Sequence, residues 1–262
     1  MPSYKYLLCV LALAACSEKQ PAASAPKAPA GPAAPAASPA GRPLARQPLK
    51  LAQLPAALRP AGELLEAWRW HDANGENLLV AARTSRPAPP ADEDAGRTAQ
   101  LLVRQYVRHG SSYQQLWQLQ DAVADCPLDL TLGLLPGSTS ITDLDGNGRT
   151  ETTVLYALAC RGGVDPAALK LIMHEGPAKY ALRGSTLLLL GGPAELARAK
   201  RRAAGPVCCL DSLPPRQRAD DAQAEGLYQN EQDFAAAPPA FRVFARQQWR
   251  RWRTHDGPEV LP

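Results

Sequence analysis

Between Asp143 and Glu151 the chain reads Asp143-Leu-Asp145-Gly-Asn147-Gly148-Arg149-Thr-Glu151. Oxygen-bearing side chains at positions 1, 3, 5 and 9, with glycine at position 6, match the front of a calcium loop. A hard cation takes roughly six to eight oxygens at ~2.4 Å, and a tight turn points alternate side chains at one centre. Gly148 allows the sharp bend, and the Arg149 carbonyl could add a ligand. The candidate metal set is therefore Asp143, Asp145, Asn147, Arg149 and Glu151, with calcium as a structural cofactor. Position 12 is Val154, so the bidentate glutamate of an EF-hand is missing. A plain polar hairpin turn accounts for the same residues, because Asp-Gly and Asn-Gly are favoured turn formers. Both readings stand at this point. A catalytic metal would need an open position beside an acid or base, and neither can be named.

Other chemistry is thinly represented. His71, His109, His174 and His255 are scattered, and each reads as a surface residue rather than a catalyst. No Gly-x-Ser-x-Gly elbow, His-Glu-x-x-His pair or glycine-rich phosphate loop occurs. A glycan-processing enzyme would need two carboxylates across a cleft, and Glu63, Glu66, Asp121 and Asp125 cannot be paired from sequence. No catalytic residue is assigned. The 29 basic and 25 acidic residues leave a well-mixed net charge of +4 without a nucleic-acid module. Lys200-Arg201-Arg202 reads as a solvated turn, so nucleic acid is not an expected partner.

The chain opens with Lys5 and an apolar run from Tyr6 to Leu13. Spanning a bilayer takes ~20 apolar residues, so residues 1–15 read as a signal peptide. The segment closes Leu13-Ala14-Ala15-Cys16, which resembles the bacterial lipobox, whose cysteine accepts a diacylglyceryl group. An ordinary signal peptide with a chance cysteine is the alternative. Lipidation at Cys16 makes the bilayer a partner, since each buried methylene contributes ~0.8 kcal/mol and stable anchoring takes more than one chain. Ser17 follows, with no aspartate there to hold the protein at the inner membrane. By resemblance to lipoprotein sorting, the outer membrane is favoured; the residues do not give the face, and the periplasmic face is expected rather than the cell surface. Residues 16–49 are rich in Ala and Pro and read as a lipidated tether.

Cys9 leaves with the signal peptide, and Cys126, Cys160, Cys208 and Cys209 remain. An even number in an oxidising compartment suggests disulfides. Cys126–Cys160 is the favoured pair. Cys208 and Cys209 are neighbours, and a strained bond between them is set against free thiols or other pairings. A zinc site lacks Cys-x-x-Cys spacing and close histidines.

The elements that must carry the loop are antiparallel. Leu64–Thr84 reads as a hairpin about Asp72-Ala-Asn74-Gly75, because Asn-Gly tolerates positive φ. Thr98–Arg108 and Tyr113–Ala122 form a second hairpin about His109-Gly110. Thr152–Ala159 follows the candidate calcium loop, and Ala167–His174 pairs with Lys179–Thr186. Asp72-Ala-Asn74-Gly75 superimposes on Asp145-Gly-Asn147-Gly148, an offset of 73 residues, and Tyr113 lies near Tyr180 at an offset of 67. The fold expected is mainly β, an antiparallel hairpin meander, read either as two repeated double-hairpin units or as one continuous meander. The equivalent turn at Asp72 has lost a carboxylate and is expected to bind nothing. Residues 50–186 form the β-rich domain, and 187–262 an irregular and helical extension packed on it. In that extension Phe241, Phe244, Ala245, Trp249 and Trp252 mark an amphipathic C-terminal helix over Ala240–Arg253. Trp68, Trp70 and Trp117 are candidates for stacking on sugars, although core positions account for them as well.

The run Ile141–Glu151, continuing through Leu155-Tyr156 to Cys160-Arg161, then Asp165-Pro166 with Leu169-Lys170 and Met173-His174-Glu175-Gly176, and closing at Lys179-Tyr180 and Arg183-Gly184, resembles a bacterial envelope family labelled surface polysaccharide biosynthesis protein. The loop itself resembles the short Asp-x-Asp-x-Asn-Gly-x-x-Glu loop of FG-GAP and similar β-repeats. The resemblance implies an exported β-rich protein connected to surface glycan or to the proteins that assemble it. It brings no catalytic residues. The expected function is a non-enzymatic, calcium-stabilised, membrane-anchored periplasmic lipoprotein. A glycan-processing enzyme and a purely structural envelope lipoprotein are the alternatives.

Overall fold

The computed structural model describes residues 44–86, 96–218, 224–255, 257–258 and 260–261. Cys16, the signal segment, the tether up to residue 43 and residues 87–95 lie outside the described residues.

The chain is mainly β and folds into two antiparallel sheets. The first contains β1 (Gln47–Pro48), β2 (Glu63–Asp72), β3 (Gly75–Arg86), β4 (Arg97–His109) and β5 (Ser112–Cys126), in that order. The second contains β6 (Asp129–Leu134), β7 (Ser140–Thr142), β8 (Glu151–Arg161), β9 (Ala168–Glu175), β10 (Ala178–Ser185) and β11 (Val260–Leu261). Its order is β10-β9-β8-β6-β11, with β7 also on β8. Thus β2 to β5 and β7 to β10 each form an uninterrupted four-strand meander, as expected of two double-hairpin units. The sheet edges reach beyond the expected domain limits. β1 pairs with β2 from within the tether region, and β11 joins the second sheet from the C-terminal extension.

The two sheets pack face to face. Trp70, Leu79, Leu101, Val103, Trp117 and Leu119 meet Leu130, Leu132, Val154, Tyr156 and Ile172 in one core. Strand β5 shows the expected period of two, with Trp117 and Leu119 buried between exposed glutamines. A bulge opposite Gln105–Tyr106 inserts Leu116, which turns Leu116 toward the same core as its neighbour. Strand β8 is different. Val154 and Tyr156 face the first sheet, whereas Leu155 and Ala157 pack under the C-terminal segment with Phe241, Ala245 and Trp249. A strand covered on both faces needs a continuous apolar run, which is what this stretch supplies.

The C-terminal segment carries helices α1 (Pro193–Ala204), α2 (Pro215–Arg218) and α3 (Pro239–Trp252). The Phe241, Ala245 and Trp249 stripe of α3 is buried on the second sheet, and Trp249 stacks edge-on against Tyr228. Cys126 and Cys160 are bonded, with a Cα–Cα distance of 5.6 Å, and tie the end of β5 to the end of β8. Cys208 and Cys209 are bonded to each other across a cis peptide, the strained alternative among those open from sequence.

Arg253 holds this segment together through backbone carbonyls. Its guanidinium is 1 % exposed and donates to the carbonyls of Arg202, Ala203, Gly205, Pro206 and Gly226. The Ala203 and Gly205 carbonyls lie at the end of α1, where a cation also meets the negative end of the helix dipole. Burial lowers the Arg253 pKa, and the Arg250 charge adds to this. Arg253→Met should cost about 3 kcal/mol, since each buried carbonyl left without a donor costs ~1–3 kcal/mol and some regain water. Urea unfolding of the full chain measures this, and a change under about 1 kcal/mol would contradict the capping role.

Candidate functional site

Four turns gather at one end of the sandwich. The Asp72 carboxylate accepts from Thr150 N at 3.1 Å and Thr150 Oγ1 at 2.7 Å, and Ala73 N donates to Gly148 O at 2.7 Å. The first-unit turn therefore docks on the loop of the second unit. Both turns have the same local form. Asn74 N donates to Asp72 Oδ1 at 2.7 Å, and Asn147 N donates to Asp145 Oδ1 at 3.2 Å. This is the superposition expected from sequence, seen as matching side-chain turns.

Within the loop, Gly148 lies at φ +81°, a conformation that an L side chain rarely adopts, and its N–H donates to Asp143 Oδ2 at 3.0 Å. Glu151 opens β8 and is fully buried. One of its oxygens, Oε2, accepts from Leu144 N and from Thr142 Oγ1, each at 2.9 Å. The other, Oε1, is buried with no hydrogen-bond partner, and so is Asp143 Oδ1. Buried polar atoms are ordinarily satisfied, so two orphaned carboxylate oxygens in one loop require an explanation. Asp143, Asp145 and Glu151 each place a carboxylate oxygen within 4.8 Å of the other two. Oxygens that share a calcium at ~2.4 Å lie no more than about 4.8 Å apart, so the carboxylate set has the right size.

The remaining expected ligands are placed differently. Asn147 presents Nδ2 to Asp145 Oδ2 at 3.1 Å and to Glu175, and its Oδ1 accepts from Arg149 N at 2.7 Å. As placed, its amide offers the carboxylates a donor, and a half-turn about the amide would offer an oxygen instead. Arg149 is exposed in the loop, and its side chain helps line a cavity of about 250 Å³ with Asn74, His109 and Glu175. Glu175 is a carboxylate that sequence reasoning did not place here. It lies directly across from Glu151 in the β8–β9 register, which becomes visible only once those strands are paired.

The cluster is electrically negative. Burial, and then the Asp145 charge, push Glu151 up to about 7 against the hydrogen bonds that favour its ionised form. Burial raises the Tyr180 phenol, and the charges of Glu175, Asp145 and Glu151 raise it further.

Behind the turns, the sheets enclose a polar network. Trp117 Nε1 and Thr152 Oγ1 both donate to Gln105 Oε1 at 2.8 Å, and Gln105 Nε2 donates to Asn77 Oδ1 at 3.0 Å. Trp70 Nε1 donates to Thr150 Oγ1 at 2.9 Å. Trp70 and Trp117 are thus core residues, not sugar platforms, while Trp68 is half-buried beneath the Arg46 guanidinium. His174 corrects the surface reading. It is 4 % exposed and stacks on Trp117 at 4.2 Å, because the inner face of β9 continues to its end. Burial, helped by Lys179, lowers its pKa to about 4, so it is neutral.

Of the other carboxylates considered, three are held by partners. Glu63 is tied to Arg83, Glu66 to Thr139, and Asp121 to Lys170 and Tyr156. The sulfurs of Cys208 and Cys209 lie near the Glu231 carboxylate, but disulfide sulfur lacks the thiolate charge that a metal takes.

The fold and this site define a two-sheet antiparallel sandwich with a carboxylate-lined loop at its turn end. Comparison with family models, with curated proteins and with solved structures finds no match to the chain.

Glu151 makes a pH prediction for the protein in EDTA. Its folded pKa of about 7 lies above its ordinary 4.5, so the folded state keeps a proton that the unfolded state loses. The Glu151 contribution to stability should therefore be complete below about pH 4.5 and be lost, by about 3 kcal/mol, as pH rises through 7. Denaturant melts across this window should show the fall, and Glu151→Gln should flatten it.

Proposed function

We propose that this chain is a lipid-anchored bacterial envelope lipoprotein whose β-domain is stapled by calcium and serves surface-polysaccharide assembly as a non-enzymatic binding or scaffolding module. The observation that carries the staple is the pair of buried, partnerless oxygens on Asp143 and Glu151, with Asp145 beside them. A divalent cation supplies what both oxygens lack, and it offsets the cost of holding a carboxylate in the interior. Asp143, Asp145 and Glu151 would hold it, with Asn147 and the Arg149 carbonyl completing the set. The ion's contribution is structural. It would join the end of β7 to the start of β8 and fix the surface on which the Asp72 turn docks.

The anchor rests on Leu13-Ala14-Ala15-Cys16, and the outer-membrane address on Ser17 after the cysteine. Among the described residues no helix is long and apolar enough to cross a membrane. The link to polysaccharide rests on the family resemblance of Ile141–Gly184.

Calcium at ~100 times its dissociation constant should stabilise the folded state by ~2.7 kcal/mol. The full chain carrying Cys16→Ser, melted in calcium and then in EDTA, should show a clear rise in Tm. Asp143→Ala and Asp145→Ala should each abolish it, and an unchanged Tm in the parent protein removes the staple. Separately, Cys16→Ser should block incorporation of labelled acyl chains and move the protein from the membrane to the soluble fraction of the exporting cell. Continued membrane retention without acylation would exclude Cys16 as the anchor.

A further inference from the structure

The second sheet extends beyond the first. Strand β5 is an edge of its sheet and crosses over β8 and β9, where Asp121 reaches Tyr156 and Lys170 and Trp117 reaches His174. The inner face of β10 lies past that edge. The step makes a trough with the β9–β10 hairpin as its floor and the edge of β5 from Gln118 to Asp121 as one wall. Gln229 and Asn230 form the opposite wall, held by the bond from Gln229 N to Arg183 O at 2.7 Å. Two cavities, each of about 390 Å³, make up the trough and share Lys170 and Arg183. Ala168 and Ala181 keep the floor low between the charged side chains.

The floor is cationic. Lys170 is neutralised by Asp121, which also accepts from Tyr156 Oη at 2.8 Å. Arg183 is half exposed and meets Asp233 at 3.1 Å, a solvent-facing pair of small worth. Lys179 is exposed, and among the described residues no carboxylate lies within ion-pair distance of it. Lys179 and Arg183 point the same way along β10, four residues and therefore about 13 Å apart. That spacing exceeds a single sugar ring and suits charges carried at intervals along a chain.

We propose that the trough binds an anionic oligosaccharide, its acidic groups on Lys179 and Arg183 and its hydroxyls on the polar walls. The inference rests on the polysaccharide reading above and narrows it to a site and a charge class. An acidic peptide adding a strand to β5 is the rival occupant. The wall offers it few rungs, because only Gln118–Asp121 line the trough and the Asp121 side chain already takes the Ala122 N–H at 3.0 Å. A glycan needs isolated donors, acceptors and cations, with no ladder register to satisfy.

The test is calorimetric titration of the full chain carrying Cys16→Ser, in calcium and at low ionic strength. The probes are a hyaluronan hexasaccharide, which alternates glucuronate with N-acetylglucosamine, then maltohexaose, hexaglutamate and inorganic phosphate. The hexasaccharide should bind and maltohexaose should not, and added salt should weaken binding. Lys179→Gln with Arg183→Gln should weaken it about tenfold or more, about 1.4 kcal/mol, with melting unchanged. Arg198→Gln with Lys200→Gln, exposed charges on α1, should leave it unchanged. Binding that survives the trough substitutions overturns this site while leaving the polysaccharide reading in place. Equal binding of hexaglutamate or phosphate overturns the oligosaccharide assignment. Failure of every carbohydrate to bind overturns both, and the calcium melts remain independent of that result.

Discussion

Strand β8 is buried on both faces from Glu151 to Ala157, and its first residue carries a carboxylate. The strand is central to the second sheet, flanked by β6, β7 and β9, so this end cannot turn outward to find water. An ionised carboxylate in such a place is costly unless its lone pairs are taken. Leu144 N and Thr142 Oγ1 take one oxygen and leave the other bare. A proton or a cation can serve that atom, and the two compete for it. This single constraint gives the loop its shape. Leu144 must turn its N–H inward, and that bend brings Asp143 and Asp145 to the same centre.

The rest of the turn end follows from the same geometry. With Glu151 fixed, Thr150 lies at the boundary between the sheets, where it donates to Asp72 and accepts from Trp70. The Asp72 turn, lacking a full carboxylate set, serves as the clamp that holds the loop of the second unit. Two similar sequences have thus divided two tasks, one gathering carboxylates and the other buttressing them. Behind them Asn77, Gln105, Trp117 and Thr152 satisfy one another in the interior, which fixes the facing of the sheets more strictly than apolar packing alone would.

Much of this architecture was legible in the residues. The turns at Asn74-Gly75 and His109-Gly110 announced their hairpins because glycine there meets a backbone requirement. Cys126–Cys160 was the favoured pair among the cysteines, and the two are bonded. The α3 helix was readable from its aromatic stripe. What escaped was information held in pairing. Strand β6 carries the alternation Leu130, Leu132, Leu134 that could have revealed it, but β1 and β11 are two-residue strands with no period to read. Glu175 sits in a turn by sequence and reaches the carboxylate cluster only through its register with Glu151. Arg253 looked like one more arginine of a basic helix, and nothing local indicated that its guanidinium would close the end of a helix some 50 residues away.

The β9–β10 hairpin links the two ends of the functional argument. Its tip carries Glu175, which receives the Asn147 amide of the carboxylate loop, and its body carries Lys170, Lys179 and Arg183. Its outer face is locked by Tyr180 against Phe234 and Phe241, so the hairpin cannot move freely as a flap. A cation that drew the Asn147 oxygen inward would take the amide donor away from Glu175. That carboxylate lies four residues from Lys179 on the same hairpin, close enough for its charge to bear on the trough at low ionic strength. The turn-end cluster and the cationic floor are therefore neighbours of opposite sign on one rigid ribbon. A bound cation would lessen the negative charge beside the floor, which favours an anionic chain there. Structural stapling and ligand capture would then be joined by electrostatics, with no conformational change required.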